Sequence, residues 1–311
     1  MVHMSQTTNK ECLLSYILFA ILFILMACPH PVGATPARRS ITGTTGNGQS
    51  LNYLALGDSL AAGTQSSPFQ LCPSNTNCGY VKDLFSYLQS QQEFTEAKDL
   101  GCTVGETSTT FLNSGGPCSD KTSQLTRALD YIHKGNVGLV TLHIGADDLL
   151  PNIKYSSKQK TCQTDQTGFH NDLQTLEHNL PQILKPLHDA LNGSGQLMLL
   201  NYYDPFQKLC PETVQYVQQL NNYLATAIQP YGSLVDIFSD FNQNLCTYTG
   251  MCKTTINPSL DIHPTAKGYQ AIANAIEKVL NLRVARKVLQ PSLSVGREVR
   301  KRIVKVKYVV K

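Results

Sequence analysis

The stretch Asn52-Tyr53-Leu54-Ala55-Leu56-Gly57-Asp58-Ser59-Leu60-Ala61-Ala62-Gly63 decides how the rest of the chain is read. A short apolar run closes on Gly57, then Asp58 and Ser59 stand before a cluster of small residues. An apolar run of that length, bounded by glycine, is the pattern of a buried strand. The small residues after it place Ser59 at a strand-to-helix turn. A hydroxyl in such a turn faces substrate, and the residue's own N–H can point at a developing oxyanion. Taken alone, a serine there is more often a helix cap.

Outward from this stretch, short apolar runs alternate with longer helical patterns. Strands are predicted at 52–57, near Asp99 to Cys102, and at 138–144, 196–202 and 233–238. Helices are predicted at 80–91, 121–133, 168–191, 211–229 and 265–282. Such alternation predicts a mainly parallel sheet covered by helices on both faces. Ligands of open parallel sheets bind beyond the carboxyl ends of the strands. That rule selects residues 57–60, 102–107, 145–148 and 204–210. Tyr202, Tyr203 and Phe206 follow a predicted strand at this end, where they line an acyl pocket or pack in the core.

A second chemical element is Asp261-Ile262-His263-Pro264-Thr265, ahead of a helical run that Thr265 can cap. A histidine on such a loop can swing over the strand ends and take a proton from Ser59. A lone loop histidine bonded to backbone is the plainer reading. It gives way because Gly-Asp-Ser-Leu occurs with it, some two hundred residues earlier.

These blocks resemble the GDSL, or SGNH, hydrolase family. LALGDSLAAG (Leu54 to Gly63) is similar to its nucleophile motif, and IHPTAKGYQAIA (Ile262 to Ala273) to its histidine block. GCTVGETSTT (Gly101 to Thr110) supplies the oxyanion-hole glycine at Gly105, and LVTLHIGADDLL (Leu139 to Leu150) resembles the block that usually reads Gly-x-Asn-Asp. The resemblance runs from about Asn52 to Leu282. It implies an α/β protein: a three-layer α/β/α sandwich with a mainly parallel five-stranded sheet, flavodoxin-like. It also implies cleavage of carboxylic esters, with Ser59 as nucleophile, His263 as base, and an oxyanion hole from Ser59, Gly105 and the residue at 147. Asp58 and Asp148 belong to their motifs as loop anchors. The serine is not in a G-x-S-x-G elbow, which disfavours an ordinary α/β-hydrolase.

Two positions depart from the family pattern. The oxyanion-hole asparagine is Asp147, and an ionised carboxylate cannot donate a hydrogen bond. Either Asp147 is protonated and donates, another donor replaces it, or activity is weak. The triad acid usually stands three residues before the histidine, where this chain has Leu260; the nearest carboxylate is Asp261, which either orients His263 or caps the helix that follows. Other readings of the scaffold are a surface- or carbohydrate-binding protein with weakened catalysis and an acyltransferase.

With 311 residues, 41% hydrophobic and 15% charged, the chain can bury a full core. Its leader, residues 1–34, holds the uncharged run Leu13 to Ala27. Three readings stand: a signal peptide cleaved before Thr35, a lipoprotein leader cleaved before Cys28, or an uncleaved anchor or buried helix. A polar linker covers 35–50 and the hydrolase domain 51–282. The tail, 283–311, carries ten basic residues against Glu298, which leaves the body near −5 of the net +4. That tail suits anionic membrane or cell-wall contact, or is a solvated extension. The expected locale is extracellular or cell-surface, the partner an ester substrate and the state a monomer; nucleic acid is a poor partner for an exported protein.

Eight cysteines remain outside the leader: Cys72, Cys78, Cys102, Cys118, Cys162, Cys210, Cys246 and Cys252. An even number fits an oxidised domain. Close spacing suggests clips 72–78 and 246–252, with 102–118 and 162–210 remaining. No CxxC or HExxH occurs, so no metal or other cofactor is expected.

Overall fold

In the computed structural model, residues 50–65, 78–91, 93–118, 121–156, 161–252 and 261–281 are described. The leader 1–34, the linker to residue 49, Cys72, Leu260 and the tail 283–311 lie outside them. The central strand, β1 (Leu51–Gly57), is the apolar run that precedes Ser59, and Tyr53 to Gly57 are buried. Hydrogen-bonded in parallel on either side are β2 (Phe94–Asp99) and β3 (Val137–His143). Next to β3 come β6 (Gln196–Leu200) and then β7 (Ser233–Val235), also parallel. The sheet order is β2-β1-β3-β6-β7. The chain leaves β1 toward one edge and returns across it to β3. The crevice beyond the ends of β1 and β3 is therefore the topological switch point, where open α/β sheets bind ligands.

Helices cover the sheet: α1 (Gly79–Ser90), α2 (Ser108–Leu112), α3 (Gln124–Lys134), α4 (Ala146–Leu149), α5 (Gln166–Leu191), α6 (Val214–Ile228), α7 (Phe238–Tyr248) and α8 (266–281). The longest, α5, starts at Asp165, whose carboxylate accepts the Gly168 N–H, and ends at Asn192 in the left-handed conformation. Leu176, Leu180, Ile183, Leu184 and Leu187 recur at helical spacing and are buried. Among the described residues no helix is long and apolar enough to cross a membrane.

Three features differ from the pattern read in the sequence. The second strand lies at 94–99, ahead of the expected 99–102, because it is an edge strand carrying Glu96 and Lys98 and lacks an apolar run. An antiparallel hairpin, β4 (Ile153–Ser156) with β5 (Thr161–Thr164), is inserted between β3 and α5. Helices α2, α4 and α7 are also additional to those expected. Cys102–Cys118, Cys162–Cys210 and Cys246–Cys252 are disulfide-bonded, with Cα atoms 5.5, 5.8 and 5.0 Å apart. Cys78 is disulfide-bonded as well.

Candidate active site

β1 ends in Gly57 at φ +127°, and a Cβ there would lie 1.9 Å from the His143 carbonyl oxygen. Only glycine lets β1 and β3 close up at this point. Both backbone groups of Gly57 are also held by Gln124, the first residue of α3. Its Oε1 accepts the Gly57 N–H at 2.6 Å, and its Nε2 donates to the Gly57 carbonyl at 3.0 Å. The same Nε2 lies 3.0 Å from Glu106 Oε2. One buried amide thus ties the strand end that carries Ser59 to the loop that carries Gly105. Nothing in the motifs pointed to Gln124, since the contact spans 67 residues.

Asp58 follows, buried, with Oδ1 accepting the Leu60 N–H at 2.9 Å and Oδ2 accepting the Tyr202 hydroxyl. It shapes the turn that presents Ser59. Burial, and then the neighbouring Asp147 charge, push the Asp58 carboxyl well above the usual range, against the pull of Tyr202 and the backbone donors. Tyr202 and Tyr203 are core residues whose rings reach the cleft. The Tyr203 hydroxyl donates to the Ile262 carbonyl at 2.6 Å, fixing the loop just before His263. Thr265 stands just before α8 and its hydroxyl accepts the Gly268 N–H at 3.3 Å, so it fills the capping position.

On this frame His263 Nε2 sits 3.0 Å from Ser59 Oγ. On its other side, His263 Nδ1 sits 2.8 Å from Asp261 Oδ1, which also accepts the His263 backbone N–H at 3.1 Å. An acid two residues before the histidine therefore reaches the imidazole without spanning another element. Its backbone bond closes a tight local ring that fixes both side chains.

Asp147 lies in the first turn of α4, just past the end of β3. Its Oδ2 accepts the Glu106 N–H at 2.8 Å, and a Cβ on Gly105 would meet that oxygen at 3.2 Å. Gly105 takes φ +102°, and its N–H makes a long, 3.4 Å bond to the Cys102 carbonyl. Burial raises the Asp147 carboxyl, opposed by the Glu106 N–H and by charge on His263. Asp148 points away from the cleft. It accepts the Ser108 N–H at 2.8 Å and the Ser108 hydroxyl at 2.6 Å, and burial pushes it up to about 6.

The comparisons with known proteins bear on this geometry. The family model described as GDSL-like lipase/acylhydrolase matches residues 53–276. The chain belongs to the GDSL-like lipase/acylhydrolase family. It is a carboxylic ester hydrolase of the α/β class. Among solved structures, a lipase from a goat rumen metagenome shares 18% identity with this acylhydrolase, covering 74% of this chain and 97% of its own, at TM-score 0.53. A mutant acetyl-xylooligosaccharide esterase from Geobacillus stearothermophilus shares 16%, covering 73% and 93%, at TM-score 0.50. At these identities the likeness is one of fold. No match was found among curated proteins.

Beside Ser59 and His263 the acylhydrolase has a cleft with about 670 Å³ of space between its walls, part of it open to solvent. Asp58, Asp147, Ser59 and His263 border one end. Tyr202, Tyr203 and Phe206, which the sequence placed at this end of the sheet, all line it.

Proposed function

We propose that the chain is an exported serine esterase in which Ser59 is the nucleophile, His263 the base and Asp261 the group that orients it. The observation that carries this is the single imidazole bridging Ser59 Oγ at 3.0 Å and Asp261 Oδ1 at 2.8 Å. A nucleophile–base–acid chain at hydrogen-bond distances is the arrangement that activates a serine hydroxyl. As Ser59 Oγ bonds to the ester carbonyl carbon, its proton passes to Nε2 of neutral His263. The charge on the carbonyl oxygen is met by the N–H groups of Ser59 and Gly105 and by Asp147 in its protonated form. Collapse of the adduct breaks the bond to the alcohol, which leaves with the proton from Nε2. Water then repeats the sequence on the acyl-enzyme and regenerates the free serine.

Export is supported by the oxidised cysteines, since disulfides persist outside the cytosol, and by the apolar leader. The basic tail would then bring the enzyme to anionic lipid or wall polymer. A fluorophosphonate probe tests the core of the proposal. The expected result is a covalent label that Ser59→Ala abolishes, together with loss of ester turnover of 10³-fold or more, on the order seen when a triad member is removed. An unlabelled protein with no turnover of any ester would overturn it.

A further inference from the structure

We infer that the cleft beside Ser59 is an acyl pocket for aliphatic acids longer than acetate, so that the acyl half of the substrate enters it and the alcohol half stays outside. The inference rests on the serine-esterase reading and adds the substrate class to it. The cleft is continuous with the reacting pair, because Ser59 and His263 themselves form part of its border. Beyond them its walls are Leu149, Ile153, Phe169, Phe206, Val217 and Leu220, contributed by α4, β4, α5, the loop after β6, and α6. None of these side chains can hydrogen-bond to a hydroxyl group. Of the three tyrosines that line it, Tyr202 donates to Asp58 and Tyr203 to the Ile262 carbonyl, which leaves Tyr216 among these walls as the tyrosine whose hydroxyl could meet a substrate.

A sugar or other polyol pushed into this space would give up most of its water partners for largely apolar walls, at a cost of roughly 1–3 kcal/mol per unpaired group. A methylene gains instead. Each one buried adds about 0.8 kcal/mol, or about a fourfold increase in transition-state binding. An acetyl group ends one methyl beyond the carbonyl carbon that meets Ser59 and leaves the rest of the pocket unused.

The far wall has its own construction. Phe206, Cys210 and Met251 form a small buried cluster, separate from the main core, with Leu150, Ile153 and Ile262 packed on it. The Cys162–Cys210 disulfide fastens the β4–β5 hairpin to the loop that carries Phe206. Apolar side chains are thus held in place over a space that the main core does not need for its own packing.

The test is kcat/KM of the purified protein on nitrophenyl acetate, butyrate, hexanoate, octanoate and palmitate, each below its aggregation limit. The expected profile rises by about three- to fourfold per methylene from acetate to at least hexanoate. In Val217→Trp, which fills the pocket from the half-buried face of α6, the hexanoate-to-acetate ratio should drop at least tenfold. A flat or falling profile with turnover that Ser59→Ala abolishes would overturn the acyl pocket and leave the serine-esterase reading standing. Absence of turnover on every ester, with no fluorophosphonate label, would instead remove the reading beneath it. If the tryptophan variant does not fold, the profile of the unmodified protein decides alone.

Discussion

At position 147 one atom's difference separates a donor from an acceptor. The Glu106 N–H commits Asp147 Oδ2 as an acceptor, which leaves Oδ1 where an asparagine would carry its amide N–H₂ group. An ionised Oδ1 would repel an oxyanion; a protonated one would donate to it. Beside Asp147 stand Asp58, Glu106 and Asp148, whose carboxyls its charge raises, and His263, whose positive form favours its ionisation, while burial raises its own carboxyl overall. Because the neutral form is lost as pH rises through that raised value, Asp147→Asn should turn over esters faster than the unmodified enzyme, and by a ratio that grows as pH rises through it. Losing one oxyanion donor costs about 10²–10³ in rate, which bounds the gain. Paired pH–rate profiles measure it, and a ratio that stays constant with pH would remove proton occupancy of Asp147 from the chemistry. The positions of Ser59, Gly105, Asp147 and His263, which the structure brings together at the strand ends, were legible because each sits in a short motif. Gln124 was not, and neither was the bond from Tyr202 to Asp58. These contacts join residues 67 and 144 apart, and no local pattern marks a glutamine that will clasp a distant glycine.

Among the elements, those with a strong period could be read and those made by context could not. β1 and β3 are apolar runs because they are buried on both faces, and α5 repeats leucine and isoleucine at helical spacing. β2 and the β4–β5 hairpin carry polar residues at the edge of the fold, so their sequences resemble loops. The hairpin nevertheless contributes Ile153 to the cleft, and Cys162–Cys210 ties it to the loop that carries Phe206. This bridge closes a loop of 48 residues and restricts the unfolded chain, a contribution of about 2–4 kcal/mol. The Cys162→Ser, Cys210→Ser double variant should melt on the order of 10 °C lower. Its activity on hexanoate should fall more than on acetate, because the displaced wall holds the chain and not the carbonyl. Differential scanning calorimetry and the ester panel report the two effects separately. Equal loss on both esters would mean that the hairpin supports the fold without shaping the pocket.

For the whole molecule, the parallel sheet and the switch-point site follow from the alternation of runs, while the cluster of buried acids emerges only when the strand ends are assembled. Asp58, Asp147, Asp148 and Glu106 converge there, and Asp99 stands half-buried at the end of β2, its Oδ1 accepting the Gly101 N–H at 2.8 Å. Burial is the leading cause that raises all of these carboxyls, Asp148 to about 6 and Asp99 to about 7. A group with a raised folded value binds its proton more tightly in the native state. The native state then holds more protons than the unfolded chain between about pH 4 and the raised value, and stability falls as pH rises through it. His143 opposes this. Buried between the sheet and Tyr202, its imidazole is pushed down to about 3, so its contribution rises between pH 3 and 6.5. Above about pH 6.5 that offset is exhausted, while Asp99 continues to ionise. Thermal unfolding should therefore show a lower Tm at pH 8 than at pH 6. Asp99→Asn, which keeps the acceptor for Gly101 and removes the charge, should raise Tm at pH 8 by several degrees and by clearly less at pH 5. The shift from 3.8 to about 7 corresponds to a few kcal/mol at most, and a large domain converts each into about 2–4 °C. Equal shifts at both pH values would show that the asparagine acts through packing, and that the Asp99 charge is not what the fold gives up as pH rises.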